Sequence, residues 1–254
     1  MTSATYPSLH NRSVLVTGGG SGIGAAIVEA FAKQGSKVAF IDFARKASES
    51  LVETVASTTG NRPAFIEADL RDIDALRAAI DDAQRHNGDI QVLVNNAARD
   101  DRHKLEDVTP DYWDERMALN LRHQFFAAQA VYPMMQRAGS GSIINMGSIS
   151  WMIGQADMPG YTTAKSAIAG LTRSLAGYMG KDNIRVNCIA PGWIMTERQI
   201  ELWLTPEAEQ DIMRNQCLQR KLVPNDIANV VLFFAADDSG CLTNQTYIAD
   251  GGWM

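Results

Sequence analysis

Three side chains in the middle of the chain, Ser148, Tyr161 and Lys165, have the types and the spacing that acid–base chemistry requires. Tyrosine has a pKa of about 10, so it is a poor base near neutral pH unless a positive charge stabilises its phenolate. Lys165 follows Tyr161 by four residues, and a helix that begins near Tyr161 would present both side chains on one face. Such pairs are also common on exposed helix faces, and the spacing alone leaves that interpretation open.

Ser148 follows the apolar run "GSIINMGS" and precedes Tyr161 by thirteen residues. Active sites of α/β proteins open at the carboxyl ends of strands, so a strand over this run would deliver Ser148 to such a site. Its hydroxyl could then hydrogen-bond the same substrate oxygen that Tyr161 deprotonates. The three side chains together predict a base for the oxidation of an alcohol.

A glycine-rich stretch near the amino terminus predicts a phosphate site. The segment "TGGGSGIG" runs from Thr17 to Gly24, after an apolar run and before an amphipathic one. Glycines allow the backbone to approach a pyrophosphate, and the start of a helix offers free N–H groups to it. A short glycine motif is a weak signal alone, but its place between strand and helix is typical of dinucleotide sites. The residues of this stretch predicted to bind the cofactor are Gly18, Ser21, Gly22, Ile23 and Gly24.

Asp42 ends the second apolar run, about twenty residues after the glycines. A carboxylate at this point can accept hydrogen bonds from the adenosine ribose hydroxyls, and it would repel the 2′-phosphate of NADP. We therefore expect NAD as the cofactor. Arg45 lies close by in the sequence and could soften that preference, and an exposed strand-end acid is the alternative interpretation of Asp42.

Elements that would position these residues alternate along the chain. Short β-branched runs are typical of strands buried on both faces of a parallel sheet, and longer amphipathic segments separate them. We predict an α/β fold: one Rossmann-type, doubly wound, parallel sheet of about seven strands with helices on both faces. Residues 1–254 are expected to form a single domain, with the cofactor part over about 10–148 and the catalytic and substrate part over about 148–254. The predicted strands cover 13–18, 37–42, 63–69, 90–97, 141–148, 184–192 and 245–252.

The composition excludes several classes of partner. Hydrophobic residues make up 46% of the chain and charged residues 20%, which is ordinary for a globular protein. The net charge is −6 and no basic stripe occurs, so neither nucleic acid nor a membrane is expected as a partner. The three cysteines, Cys188, Cys217 and Cys241, match no metal-ligand spacing. They predict reduced thiols, no metal and a cytoplasmic protein.

The order of these motifs, each at a strand end or helix start, resembles the short-chain dehydrogenase/reductase family, in its NAD-preferring form. The resemblance rests on the glycine stretch, Asp42, "NNAA" (95–98), the pair Tyr161 and Lys165, and the closing "DGGW", and it covers essentially the whole chain. It implies that Tyr161 is the general base, that Ser148 orients the reacting oxygen and that Lys165 lowers the pKa of Tyr161 and binds the nicotinamide ribose. Asn120 would hold a water that links Lys165 to solvent. The further cofactor contacts that the resemblance implies are Asp69, Leu70, Asn96, Ala97, Tyr161, Pro191, Gly192, Ile194 and Thr196.

Two further expectations come with the resemblance. The family usually has glycine where Ala98 stands, so a methyl group is expected to crowd the backbone beside the cofactor. In the family, helices equivalent to 111–137 and 161–180 pair across subunits, which implies a homo-oligomer, a tetramer. Trp253 and Met254 are unusual at a chain end and are interpreted as candidates for a subunit contact.

Substrate choice is expected to lie in two less regular segments, 149–160 and 193–210. They would bring Trp151, Gln155 and Trp193 to the reacting centre, where indole rings can pack on a sugar and polar groups can meet its hydroxyls. Packing of both tryptophans within a lid is the alternative.

The run "DDRHKLEDVT" (100–109), with "GSISW" and "DGGWM", resembles the aldose 1-dehydrogenases of the family. These oxidise the anomeric hydroxyl of a sugar such as D-xylose, L-arabinose or D-galactose to the aldonolactone. His103 is interpreted as a loop or interface residue, since Tyr161 already supplies a base. A polyol or other secondary alcohol dehydrogenase, a 3-oxoacyl reductase and a cofactor sensor without catalysis remain the alternatives.

Overall fold

Seven parallel strands form one sheet at the centre of the computed structural model, which describes residues 4–254, so the first three residues of the predicted domain lie outside it. Their spatial order is β3-β2-β1-β4-β5-β6-β7. The central strands are apolar and buried along their whole length, as parallel strands covered on both faces should be. The strands are β1 Ser13–Thr17, β2 Lys37–Asp42, β3 Ala64–Glu67, β4 Val92–Asn95, β5 Gly141–Met146, β6 Ile184–Pro191 and β7 Thr246–Ala249.

Helices cover both faces of the sheet and divide the core into two layers. Alternate residues of one strand face opposite layers: Val14 and Val16 contact the layer that α1 and α9 close, and Leu15 contacts the layer of α3, α5 and α6. None of these helices is both long enough and apolar enough to cross a bilayer. The α-helices are α1 Gly22–Lys33, α2 Arg45–Thr59, α3 Ile73–Asn87, α4 Pro110–Met117, α5 His123–Ala138, α6 Pro159–Met179, α7 Glu197–Trp203, α8 Pro206–Asn215 and α9 Pro224–Ala235.

The strand order reverses between β1 and β4, which lie side by side although two strands separate them in the sequence. At such a switch point the loops after the two strands diverge and leave a crevice at the carboxyl edge of the sheet. The loop after β1 is the glycine-rich stretch, and the loop after β4 begins with Asn96. The fold thus opens a cleft where the sequence places the phosphate motif.

The predicted strands agree with the structure, while two predicted segments differ. The stretch 111–137 is not one helix: a π-helical turn, Ala118–Arg122, separates α4 from α5. The segment 193–210 is more regular than expected, because it contains α7 and the start of α8, each with a threonine N-cap. Thr196 accepts from the Gln199 N–H at 3.2 Å, and Thr205 accepts from the Ala208 N–H at 3.2 Å.

Candidate active site

The glycine-rich loop is shaped by close backbone contacts. Gly18 and Gly22 adopt positive φ angles of 64° and 56°, which L side chains rarely adopt. A Cβ on Gly24 would lie 1.9 Å from the Gly18 carbonyl oxygen, and a Cβ on Gly18 would lie 2.7 Å from the Ala97 Cα. Glycine is therefore required here to pack the start of α1 against the turn and the turn against the loop after β4.

The start of α1 fits a pyrophosphate. Ser21 is its N-cap residue, and the serine side chain makes no capping hydrogen bond, so N–H groups of the first turn have no side-chain acceptor. Backbone N–H groups and the helix dipole at this end favour an anion. Thr196 closes the other side of the loop, because a Cβ on Gly22 would lie 3.1 Å from its Cγ2.

A cleft of about 760 Å³ runs along the carboxyl edge of the sheet from this loop to Tyr161. It is lined by every residue that the sequence assigned to the cofactor: Gly18, Ser21, Gly22, Ile23, Gly24, Asp42, Asp69, Leu70, Asn96, Ala97, Tyr161, Lys165, Pro191, Gly192, Ile194 and Thr196. Ala98 is exposed on the wall of this cleft, so its methyl group faces the cavity. The shape, the glycines and the free helix start together fit a dinucleotide.

Asp42 is 8% exposed and is held by two backbone N–H groups. Its Oδ2 accepts from Gly20 at 2.9 Å, and its Oδ1 accepts from Ala44 at 2.9 Å. Each carboxylate oxygen keeps a further acceptor position for a ligand in the cleft. The carboxylate thus links the glycine-rich loop to the end of β2.

Arg45 does not line the cleft. Its guanidinium pairs with Glu67 on the neighbouring strand β3 and lies 3.6 Å from Glu49 on its own helix. Both acids compete for this cation, so it is not available as a free charge beside Asp42.

The Tyr161–Lys165 pair lies on the first turns of α6, and Ser148 faces it from the turn after β5. The Lys165 Nζ donates to the Met146 carbonyl at 2.7 Å and lies 5.5 Å from the centre of the Tyr161 ring. The Ser148 Oγ accepts from the Ser150 N–H at 3.1 Å, and a hydrogen bond joins the Ser148 and Tyr161 side chains. The three predicted groups therefore meet at one end of the cleft.

Burial shifts both titratable groups of this pair toward their neutral forms. It is the main cause that raises the pKa of Tyr161; the negative charge of Asp100 adds to the rise, and the Ser148 hydrogen bond opposes it. Burial also lowers the pKa of Lys165 to about 8. The pKa of Tyr161 thus moves opposite to the direction expected from a nearby lysine, because burial and the Asp100 charge both raise it in the protein alone.

Asn120 lies in the π-helical turn and is fully buried, but it does not line the cleft. Its Oδ1 accepts from the Arg99 N–H at 2.8 Å, and its Nδ2 donates to the Arg116 carbonyl at 3.1 Å. Its side chain therefore ties the loop after β4 to α4. π-Helical turns often occur at functional sites.

The three side chains that the less regular segments were predicted to bring to the reacting centre differ in position. Gln155 and Trp193 line the cleft, while Trp151 is half-buried in the turn after β5 and does not line it. The indole of Trp193 takes part in a stack: the Arg102 guanidinium lies 5.7 Å from the Trp193 ring and 4.2 Å from the Trp203 ring. This packing is the lid alternative that the sequence left open for Trp193.

His103 does not line the cleft. Its Nδ1 lies 3.0 Å from the Tyr112 hydroxyl, and its backbone N–H donates to the Asp157 carbonyl at 2.8 Å. The residue therefore packs within the loop, in line with its interpretation as a loop residue.

Trp253 and Asp100 are among the cleft residues that sequence reasoning did not assign to the site. Trp253, a candidate for a subunit contact from the sequence, lines the cleft of this chain, while Met254 is 58% exposed. The chain end reaches the cleft because the Asp250 backbone packs on Gly192, where a Cβ would lie 2.7 Å from the Asp250 Cα. Two consecutive glycines with positive φ angles, at 251 and 252, then turn the chain. The "GG" before the tryptophan was the available signal for this turn.

The known proteins that this chain resembles include reductases and dehydrogenases by name. Residues 18–254 match the family described as enoyl-(acyl carrier protein) reductase. A Rhizobium meliloti protein named "Probable galactose dehydrogenase" is 55% identical, over 99% of this chain and 98% of its own. The D-xylose 1-dehydrogenase of Caulobacter vibrioides is 48% identical, over the full length of both chains.

Solved structures of other proteins share the fold at lower sequence identity. A 3-oxoacyl-[acyl-carrier protein] reductase from Brucella melitensis superposes with a TM-score of 0.91 at 31% sequence identity, and the match covers 100% of this chain and 98% of that one. The shared sheet and cleft are therefore common to relatives whose names indicate different substrates.

Proposed function

Because the chain belongs to the short-chain dehydrogenase/reductase family of nicotinamide-dependent oxidoreductases, we propose that it oxidises the anomeric hydroxyl of an aldose to the aldonolactone with NAD. The observation that carries the proposal is the meeting of Ser148, Tyr161 and Lys165 at one end of a cleft whose other end is the glycine-rich loop. Bound NAD supplies the carbon that accepts the hydride.

Different residues of the cleft would contact different parts of the cofactor. The N–H groups at the start of α1 hold the pyrophosphate, with glycines around them. Asp42, Asn96 and Ala97 hold the adenosine ribose, and Asp69 and Leu70 border the adenine. The nicotinamide end is held by Pro191, Gly192, Ile194 and Thr196.

Tyr161 takes the proton from the C1 hydroxyl of the sugar, and Ser148 holds the same oxygen by a hydrogen bond. Lys165 stabilises the phenolate that forms and binds the nicotinamide ribose. The resemblance implies a water that links Lys165 to solvent beside Asn120; both polar atoms of the Asn120 side chain are bonded to backbone, so its carbonyl would have to hold that water. That water passes the proton to solvent.

NAD is favoured over NADP by the charges beside the adenosine ribose. Asp42 lies in the cleft with acceptor positions left for the two ribose hydroxyls, and it repels a 2′-phosphate. Arg45, the cation that could offset this repulsion, is paired with Glu67. Both features act in the same direction.

An aldose is favoured over other alcohols by the relatives and by the cleft wall. The two full-length relatives named above act on galactose and D-xylose according to their names. The cleft wall carries Asp100, Gln155 and Trp253, which suits hydroxyl groups and one C–H face of a ring. A long acyl chain would leave these polar groups without partners.

The test is NADH formation with a panel of D-xylose, L-arabinose, D-galactose, L-fucose and D-glucose, each with NAD and with NADP. Selective turnover of an aldose with NAD is expected. Tyr161→Phe should reduce turnover by roughly 10²- to 10⁴-fold and largely retain NAD binding, since it removes the proton acceptor and keeps the ring. Retained turnover in this variant, or NADH formation with polyols alone, would exclude the proposal.

We also propose a homotetramer in the cytoplasm. An apolar groove of about 400 Å³ lies between α4, α5 and α6, and it is lined by Leu121, Phe125 and Leu171 among others. Phe125 is 41% exposed in the isolated chain, which a partner helix would cover. Light scattering should give about four times the subunit mass of 27.7 kDa, and a monomer mass would refute this assembly.

A further inference from the structure

Asp100 is an acid on the cleft wall that neither the cofactor residues nor the Tyr161–Lys165 pair accounts for. It lies on the loop that follows β4, and its side chain is 19% exposed. It shares the cleft with Ser148 and Tyr161. Removing a carboxylate from water is costly unless it has hydrogen-bond partners, so the partners of Asp100 decide its role.

Two residues of α7 hold the Asp100 carboxylate from one side. Gln199 Nε2 donates to Oδ2 at 2.5 Å, while Arg198 Nε donates to Oδ1 at 3.4 Å, a long contact. An ionised carboxylate has about four acceptor positions, so about two remain. Asp100 is therefore positioned but not saturated.

The neighbouring Asp101 differs in this respect. Its carboxylate accepts from Arg99 at 2.9 Å, from Arg198 at 2.8 Å and from Arg116 at a shorter distance. Three guanidinium groups thus neutralise Asp101 and fix the loop. Of the two adjacent acids, Asp101 is the structural one, and Asp100, with one long guanidinium contact, keeps acceptor positions toward the cleft.

That charge acts on the reacting groups. After burial, it is the second cause that raises the pKa of Tyr161, and it opposes the effect of burial on Lys165. An anion here works against the formation of a phenolate. Its presence beside the base is explained if it meets a substrate group close to the reacting carbon.

We propose that the Asp100 carboxylate binds the substrate, by accepting a hydrogen bond from the sugar hydroxyl on C2 while Tyr161 and Ser148 hold the hydroxyl on C1. This inference rests on the proposed function. The C2 hydroxyl is the nearest one to the reacting carbon, and its hydrogen bond fixes the ring so that the C1 hydrogen faces the cofactor. A polar, uncharged, vicinal diol satisfies Asp100, whereas an apolar chain leaves it unpaired and an anionic substrate is repelled.

A purely structural role would be the support of α7 through Gln199 and Arg198. The two roles differ in one measurable respect. Loss of a substrate contact depends on whether the substrate carries the contacted hydroxyl, whereas loss of α7 support affects every sugar alike. A cycle of enzyme and substrate changes therefore separates them.

The experiment measures kcat/KM with NAD for D-galactose, 2-deoxy-D-galactose and the 6-deoxy sugar D-fucose, in the wild type and in Asp100→Asn. We expect Asp100→Asn to reduce kcat/KM by roughly 5- to 15-fold for D-galactose and D-fucose, the difference between a hydrogen bond to a charged acceptor and one to a neutral acceptor. For 2-deoxy-D-galactose the reduction should be less than about threefold, because the contact is already absent. Asp100→Ser serves if Asp100→Asn does not fold, which its melting temperature reveals.

The matched control is Asp101→Asn, which changes the neighbouring acid of the same loop, does not line the cleft and leaves the Asp100 carboxylate and its Gln199 partner in place. It should affect the three sugars equally. A uniform loss in Asp100→Asn as well would assign Asp100 to the support of α7 and overturn the inference. A wild type that is silent with every aldose would instead overturn the sugar dehydrogenase itself, so the two failures are distinct.

The pH profile gives a second readout that a structural role would not move. Asp100→Asn removes the negative charge that raises the pKa of Tyr161. The charged groups that remain nearby are Lys165, whose charge acts on His123 and Cys188, and the Arg198 guanidinium that contacts Asp100. The pKa of Tyr161 should fall, so the rate should reach half its maximum at a lower pH than in the wild type. An unchanged profile would contradict the placement of Asp100 beside the base.

Discussion

Asp42 offers the sharpest test of the cofactor site, because one carboxylate both holds the glycine-rich loop and faces the cleft. In Asp42→Ala, NAD loses its hydrogen bonds to a charged acceptor. Such bonds contribute about 1.5–3 kcal/mol, so NAD should bind roughly 10- to 150-fold more weakly. Fluorescence titration with NADH and the KM for NAD measure this loss.

The same change removes a repulsion from NADP. Two unit charges about 5 Å apart interact by roughly 1–3 kcal/mol at effective dielectric constants between those of water and a protein surface. The preference for NAD over NADP should therefore fall by roughly 10²- to 10⁴-fold. It should relax rather than reverse, because Arg45 stays paired with Glu67 and Glu49.

A second substitution tests that last step. Adding Glu67→Gln to Asp42→Ala removes the acid that holds Arg45 across β2 and β3, so the affinity for NADP should increase further while that for NAD does not. Asp74→Ala removes a carboxylate that is 95% exposed and serves as the charge control. No change in the double variant would mean that Arg45 cannot reach the phosphate.

A lost contact between Asp42 and NAD must be distinguished from a loss of protein stability. Asp42→Ala leaves the N–H groups of Gly20 and Ala44 without their acceptor, which should lower the melting temperature. Asp42→Asn keeps an oxygen acceptor and loses only the charge, so it should retain more stability and still relax the preference. If NAD affinity were unchanged in both variants, Asp42 would not contact the ribose and the cofactor assignment would be wrong.

Three other predictions concern the buried pair, the chain end and the buried histidine. Lys165→Met should move the pH of half-maximal rate upward, since the phenolate of Tyr161 loses its cation; an unmoved profile would exclude Lys165 from this role. Trp253→Ala should raise the KM for the sugar by about 3- to 10-fold and leave NAD binding unchanged, as expected for one aromatic contact in the cleft; an equal KM would remove Trp253 from the substrate site. Burial, aided by the charge of Lys165, lowers the pKa of His123 to about 4. Between about pH 6.5 and pH 4 the unfolded chain therefore binds a proton at this histidine and the folded chain does not. The free energy of unfolding should therefore fall by roughly 2–3 kcal/mol between pH 7 and 4.5, and in His123→Gln, unlike in His86→Gln, urea unfolding should show this fall reduced.

The sheet could be predicted from the sequence because its signals are local. Each buried strand is a short β-branched run, and the glycine-rich stretch requires backbone geometry that other residues cannot adopt. The order of motifs then brings Ser148, Tyr161 and Lys165 to one edge. These features depend on residues close in the sequence, and the structure agrees with them.

The substrate side could not be predicted in the same way, because it depends on packing between distant segments. Trp151 and Trp193 were both predicted to lie at the reacting centre, yet only Trp193 lines the cleft. Trp253 reaches the cleft because Asp250 packs on Gly192, nearly sixty positions away. The π-helical turn at Asn120 likewise leaves no mark in the apolar periodicity of its helix. Such contacts appear only when the elements are assembled.

Burial sets a condition on the chemistry at the end of the cleft. It raises the pKa of Tyr161 above its ordinary value in the protein alone, while oxidation of an alcohol requires a base. Positive charge in the cleft favours the phenolate, whereas Asp100 opposes it. A sugar hydroxyl that donates to Asp100 draws the charge of that carboxylate toward itself and away from Tyr161. The substrate contact that selects the sugar would therefore also help to ionise the base, and a sugar without that hydroxyl would lose both effects.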